Sequence, residues 1–147
     1  MDLFAERLNG LMVEIFRYIL KFEEKSIRKI QRHNLSMSEY HLIECIGSSD
    51  RGKKISDIAQ ESAVTLSSVT VAINKLLAKG YVKKEKCSED GRVTYVSLTR
   101  SGKCADEGHR KFHEQMVRNM TSEFSPNEKD ILLSCMLKLK EYFKANV

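Results

Sequence analysis

The stretch TLSSVTVAINKLLAKG, Thr65 to Gly80, spells one short helix with a marked start and a marked stop. Thr65 is a capping residue, because its side-chain oxygen can accept an otherwise free amide two or three residues on. Gly80 can close the helix in the left-handed conformation that other residues avoid. Between them Val69, Ala72, Ile73, Leu76 and Leu77 recur at steps of three and four and so share one face. The remaining positions are Leu66, Ser67, Ser68, Thr70, Val71, Asn74 and Lys75. That face is mostly small hydroxyls and an amide with a single charge, whereas a solvated helix face normally carries long charged side chains. It suits close approach to a polar surface such as a DNA groove. A core helix with an undemanding exterior is the plainer alternative, and the neighbouring sequence decides between them.

Immediately before it, ISDIAQES (Ile55 to Ser62) reads as a helix of about two turns, joined through Ala63 and Val64. Two short helices with so brief a connection have the form of a helix-turn-helix. After Gly80, YVKKEKCSEDGRVTYVSL changes to strand alternation, with Asp90-Gly91 as the turn of a two-stranded wing. Lys83, Lys84, Lys86 and Arg92 make that wing basic. From Asp50 to Lys103 there are 11 Lys or Arg against 6 Asp or Glu, a net of +5, while the rest of the 147 residues carries 14 of each sign. All the excess charge therefore surrounds the 65–80 helix, which is the electrostatic pattern of nucleic-acid binding. A membrane surface or an acidic protein would also attract it.

With 41% hydrophobic residues, one proline and no low-complexity run, the chain fits one domain with a proper core. Glu6, Arg7, Glu14 and Arg17 interrupt every apolar run near the N-terminus, no segment is apolar enough to span a bilayer, and the chain reads as cytoplasmic with no membrane partner. Cys45, Cys87, Cys104 and Cys135 form no CxxC pair, so they read as reduced, small buried residues. No glycine elbow, phosphate-binding loop or Ser–His–Asp pattern occurs, which excludes the common enzyme classes.

Long amphipathic helices flank the basic segment. Phe4, Leu8, Leu11, Ile15, Ile19 and Phe22 form a near-heptad seam in a helix expected over Asp2 to Arg32. A second helix starts at Ser36, with Glu39 completing a capping box, and ends at Gly47; SSDRGKK then reads as a basic turn. Thr99 caps a long helix bearing Ala105, Phe112, Met116 and Met120. Ser125-Pro126-Asn127-Glu128 restarts a last helix with Ile131, Leu132, Met136, Leu139 and Phe143 at seam spacing. The fold expected is mostly α with a small β wing, an α+β winged helix-turn-helix. Its DNA-binding lobe is expected over 35–98, and dimerisation helices over 1–34 and 99–147 pack with each other and with a second copy.

This layout resembles the MarR family of bacterial transcription regulators. The similarity is carried by ISDIAQES, TLSSVTVAINKLLAKGYVKKE and SEDGRVTYVSLTRSG, with the family's Asp-x-Arg wing signature as Asp90-Gly91-Arg92. The resemblance implies a homodimer on double-stranded DNA with a pseudo-palindromic operator. It places Thr65, Ser67, Ser68, Thr70, Asn74 and Lys75 at the major groove and Arg92 in the minor groove, with Asp90 holding the Arg92 guanidinium. Lys53, Lys54, Lys83, Lys84 and Lys86 are the expected phosphate contacts. VTLSSVT and HRKFHEQMV (His109 to Val117) are similar to the fatty-acid-synthesis repressors of the family. That similarity implies long-chain acyl-acyl carrier protein as partner and an apolar channel, with Met12, Ile15, Phe16, Ile19, Phe112 and Met116 as lining candidates that serve equally well as core.

No cofactor is required for such a regulator, but His109 and His113, four apart on one helix, can face a single point and are half of a metal site. Resemblance to the zinc-uptake repressors of the family adds Glu23 and His41 as matching ligands for zinc, while Lys29 and Tyr40 depart from that pattern. The alternative is a hydrogen-bonded histidine pair at a helix junction. Cys87 in the wing is a further sensing candidate, its thiolate favoured by Lys84 and Lys86. A winged helix used only to dock protein is the rival from another class; it would present apolar anchors where this helix presents small polar groups.

Overall fold

The structure, a computed structural model, describes residues 2–30 and 33–146. In chain order its elements are α1 (Leu3–Ile30), α2 (Met37–Ile46), β1 (Lys53–Lys54), α3 (Ile55–Ser62), α4 (Leu66–Ala78), β2 (Val82–Lys86), β3 (Thr94–Leu98), α5 (Arg100–Met120) and α6 (Pro126–Ala145). Arg32, the expected end of the first helix, lies outside the described residues, as does the side chain of Lys29. The chain divides into two compact units, Met1–Glu107 and Gly108–Val147. Among the described residues no helix is long and apolar enough to cross a membrane.

In the first unit the helix ends follow the sequence signals. Ser36 Oγ accepts the Glu39 amide at 3.3 Å, and the Glu39 carboxylate accepts the Ser36 amide at 2.7 Å, a complete capping box on α2. Thr65 caps α4 by accepting Ser68 N–H at 3.3 Å. Gly80, at φ +80°, ends it in a Schellman closure, with Tyr81 N–H on Leu76 O at 3.0 Å and Gly80 N–H on Leu77 O at 3.1 Å. Thr99 Oγ1 accepts Gly102 N–H at 3.2 Å to start α5, and it donates to Gly80 O at 2.7 Å.

The core of this unit is built from Ile43, Ile46, Ile58, Ile73, Leu76 and Val96, none measurably exposed, with Val69, Val82, Leu98 and Ala105 beside them. Of the expected inner face of α4, Val69, Ile73 and Leu76 are buried and Ala72 half-buried, but Leu77 is 42% exposed. Leu77 stands beyond the edge of the core, where only part of its side chain can be covered. The cysteines also depart from expectation: Cys45 and Cys87 are half-buried, and Cys104 and Cys135 are exposed.

The sheet has three antiparallel strands in the order β1-β3-β2, not the two expected. Lys53 pairs with Val96 and Lys54 with Tyr95, so the end of SSDRGKK is a short strand. Gly52, at φ +75°, makes the approach possible, since a Cβ there would stand 2.5 Å from Val96 O. Two residues are too few for an alternation signal, which is why the sequence pattern reads only as a turn.

In the second unit α6 starts on Ser125 with its capping box, Pro126 at the first turn, and Glu128 N–H on Ser125 Oγ at 3.3 Å. None of its residues is buried. Ile131, Leu132, Met136 and Phe143 are exposed, as are Leu133 and Leu137, and Leu139 is half-buried. The seam of α1, in the first unit, is equally open: Phe4, Leu8, Leu11, Ile15 and Phe22 are exposed.

Candidate nucleic-acid interface

The turn between α3 and α4 is made by Ala63, a non-glycine residue in the left-handed region at φ 53°. Its amide bonds Gln60 O at 3.3 Å, and Val64 N–H bonds Ala59 O at 3.2 Å. These close α3 and re-aim the chain within three residues, so α4 presents its other face outward. On that face Thr65, Ser67, Ser68, Asn74 and Lys75 are exposed and Thr70 is half-buried. Leu66 and Val71 are exposed beside them.

The hydroxyls of the first turn form a local network. Thr65 Oγ1 donates to Ser68 Oγ at 2.8 Å and lies 3.2 Å from Ser67 Oγ. Thr70 Oγ1 donates back to Leu66 O at 2.8 Å. Lys84 Nζ, from β2, reaches Asn74 Oδ1 at 2.5 Å and so ties the wing to the middle of α4.

In the wing, β2 and β3 pair from Val82–Leu98 to Lys86–Thr94. The loop between them is wider than a two-residue hairpin. Cys87 N–H bonds Val93 O at 2.8 Å, and Val93 N–H bonds Asp90 O at 3.0 Å, which closes a turn over Gly91 and Arg92. Asp90 Oδ1 accepts the backbone amide of Arg92 at 3.0 Å. The carboxylate expected to hold the Arg92 guanidinium therefore holds its backbone instead. An aspartate at the first position of a turn satisfies the amide two residues on, and that amide is nearer than the mobile guanidinium. The Arg92 side chain stays exposed and makes no ion pair among the described residues.

The lysines expected at phosphates separate into two kinds. Lys54 and Lys86 are exposed, and Lys83 is exposed with Glu85 Oε1 at 3.1 Å. Lys53, in contrast, donates to Glu61 Oε2 and to Cys45 O, each at 2.6 Å. It fastens α3 to the end of α2 and is committed within the lobe, because β1 carries it onto the sheet and away from the wing tip. The Lys53 partnership pulls the Glu61 carboxyl below its ordinary value. Burial pushes the Cys45 thiol up. The Cys87 thiol is drawn down by hydrogen bonds from the backbone amides of Asp90 and Glu89, not by Lys84 and Lys86 as expected.

The sequence reading passes over Lys79. Its ammonium donates to both oxygens of Glu39 at 2.8 Å and to Asn34 O at 2.8 Å, locking the end of α4 onto the start of α2. A basic residue in the last turn of a helix is the signal that could have drawn attention to it.

The remaining candidates fall within one unit or the other. In the first unit, Glu23 is buried with its Oε2 3.9 Å from His41 Nε2. Met12 and Ile19 are half-buried, and Ile15 and Phe16 are exposed. In the second, His109 and His113 bring their Nε2 atoms to 3.1 Å, and Phe112 and Met116 are half-buried.

An outward polar helix held beside a basic wing, behind a short turn, is a geometry for binding duplex DNA. Residues 35–94 match the model of the MarR family. The uncharacterized HTH-type transcriptional regulator YhjH of Bacillus subtilis is 25% identical over 140 residues, covering 90% of this chain and 78% of that protein. The crystal structure of Streptococcus pneumoniae FabT in complex with DNA superposes with a TM-score of 0.91 at 27% identity, over 97% of this chain and 99% of that one. The chain carries the MarR family match over residues 35–94, from α2 to the start of β3. It is a DNA-binding transcription regulator, not an enzyme. The MarR fold is seen again in the Staphylococcus aureus MepR–DNA complex, at a TM-score of 0.73 and 19% identity over 88% of this chain and 96% of that one.

Proposed function

We propose that this chain is a homodimeric MarR-family repressor of fatty-acid biosynthesis genes, controlled by long-chain acyl-acyl carrier protein. The observation that carries the reading is the likeness to FabT over almost the whole of both chains, against the lower likeness to MepR. The stretches VTLSSVT and HRKFHEQMV support the same branch. The recognition helix α4 enters a major groove, with Ser67, Ser68, Thr70, Asn74 and Lys75 toward the bases and Thr65 at its cap. Arg92 reaches a narrow, electronegative minor groove from the wing tip. Lys54, Lys83, Lys84 and Lys86 meet phosphates, which sets register without reading sequence.

The exposed apolar seams of α1 and α6 support a two-fold dimer, since so many uncovered Leu, Ile, Phe and Met side chains are costly in water. A two-fold dimer places its recognition helices roughly one DNA turn, about 34 Å, apart on a pseudo-palindromic operator. An acidic carrier protein suits the chain's excess positive charge. The test is a DNA-binding titration with the chain's own upstream region, with and without long-chain acyl carrier protein. Tighter binding with the acyl form is the expected result, and indifference to it overturns the assignment to this branch.

The approach of His109 and His113 favours a second reading, a zinc-responsive regulator. Stoichiometric zinc in untagged protein that disappears in His109→Ala is the outcome that would replace the first reading with this one.

A further inference from the structure

The outward face of α4 carries polar and apolar groups, and the structure gives them different standing. Three of the polar groups, Thr65, Thr70 and Asn74, are engaged within the chain. Thr70 donates its proton to Leu66 O, and Thr65 donates its own to Ser68 Oγ. Asn74 Oδ1 is occupied by Lys84 Nζ, so the amide does not present the paired donor and acceptor that adenine recognition needs. The apolar groups are open. Leu66 is 55% exposed and Val71 56% exposed. Leu66 stacks along the axis with Thr70, and Ser67 with Val71, each pair four residues apart. With the Thr70 proton given to its own helix, Thr70 has no donor left and offers its methyl and the acceptor side of its oxygen.

We infer that α4 reads its operator chiefly through thymine methyl groups, contacted by Leu66, Thr70 and Val71. The inference rests on α4 being the groove helix and names the base chemistry it takes. Thymine alone among the four bases carries a methyl group in the major groove, and aliphatic side chains are its natural partners. The surroundings point to duplex DNA as the occupant of this apolar strip: Lys75 on the same helix and Lys83, Lys84, Lys86 and Arg92 on the wing would repel an equally basic protein and attract phosphates. Hydroxyl and amide contacts become secondary and depend on Lys84 releasing Asn74. The operator half-site is accordingly rich in thymine where the N-terminal half of α4 lies.

The experiment selects an operator from a random duplex library and remakes it with deoxyuridine for each thymidine in turn, which removes one methyl and keeps base pairing. Each contacted methyl should be worth about fourfold in affinity, the value of one buried carbon. Val71→Ala and Leu66→Ala, both at exposed positions and checked for unchanged thermal unfolding, should each lose that sensitivity at one thymine and keep it elsewhere. Equal affinity for the thymine and uracil operators overturns the inference. So does a full set of methyl effects that is unchanged, thymine by thymine, in both variants. If the folded protein selects no sequence at all, α4 is not a groove helix, and it is the underlying reading that fails.

Discussion

Lys79 donates to both carboxylate oxygens of Glu39 at 2.8 Å, and the same carboxylate accepts the Ser36 amide that caps α2. One buried acid thus anchors the end of α4 to the start of another helix. Burial alone would raise the Glu39 carboxyl, but the bonds from Lys79 and Ser36 outweigh it and hold the group below its ordinary value of 4.5.

The sign of the resulting pH dependence follows from that depression. A carboxyl lowered in the folded state contributes stability that is present above its unfolded value and lost as pH falls through the folded one. Glu39→Gln should cost about 2 kcal/mol at neutral pH and flatten the acid limb of stability below the ordinary carboxylate range. Urea unfolding across that range makes the comparison; an acid limb as steep as the parent's would assign the titration to another group.

At the wing tip, Arg92→Ala should weaken operator binding by about 1–3 kcal/mol while the oligomeric state stays the same. Asp90 tests the geometry further. Because its oxygen accepts the Arg92 backbone amide, Asp90→Asn, which keeps a side-chain oxygen, should bind DNA almost as well as the parent, and Asp90→Ala should not. If Asn and Ala at this position are equally damaging in a binding titration, the negative charge matters and the turn does not.

Lys53 and Lys83 are alike in residue type but not in employment. Lys83→Ala should reduce the slope of log affinity against log salt by about 1, as follows when one phosphate fewer is neutralised. Lys53→Ala should leave the slope alone and lower the stability of the lobe, since its ammonium is spent on Glu61 and Cys45 O. A salt titration of both variants separates the roles, and a slope change for Lys53 would return it to the DNA.

Much of the lobe is legible in the sequence, and the limits of that legibility have physical causes. Caps and stops at Ser36, Thr65, Gly80, Thr99 and Ser125 are local chemistry, written in adjacent residues, and each stands where the sequence places it. Partners far apart in the chain are not local. Lys79 and Glu39 are 40 residues apart, and nothing in either segment names the other. The same holds for β1, whose existence depends on β3 lying beside Gly52. The outward residues of α4 follow from the helical period, but which of their donors and acceptors are already engaged is decided by neighbours such as Lys84, beyond any helical pattern.

Two glycines make a stability test of the lobe. A Cβ at Gly102 would stand 2.1 Å from Tyr81 O, whereas one at Gly91 meets nothing within 4 Å. Gly102→Ala should therefore destabilise the lobe by about 3 kcal/mol or more, with Gly91→Ala close to neutral despite its place in a turn. Thermal unfolding of the two variants side by side decides this; comparable melting temperatures would mean that the junction at Tyr81 yields freely.

The hydroxyl of Thr99 stands where three parts of the lobe converge. It donates its proton to Gly80 O and accepts the amide of Gly102, while the Thr99 backbone amide bonds Tyr81 O at 3.0 Å. The end of α4, the approach to the first wing strand and the start of α5 thus share a single joint, built by one threonine. A displacement of the first turn of α5 bears on Gly80 O through this one hydroxyl, which bonds both. In such a lobe the start of α5 and the end of α4 are separated by the length of one side chain.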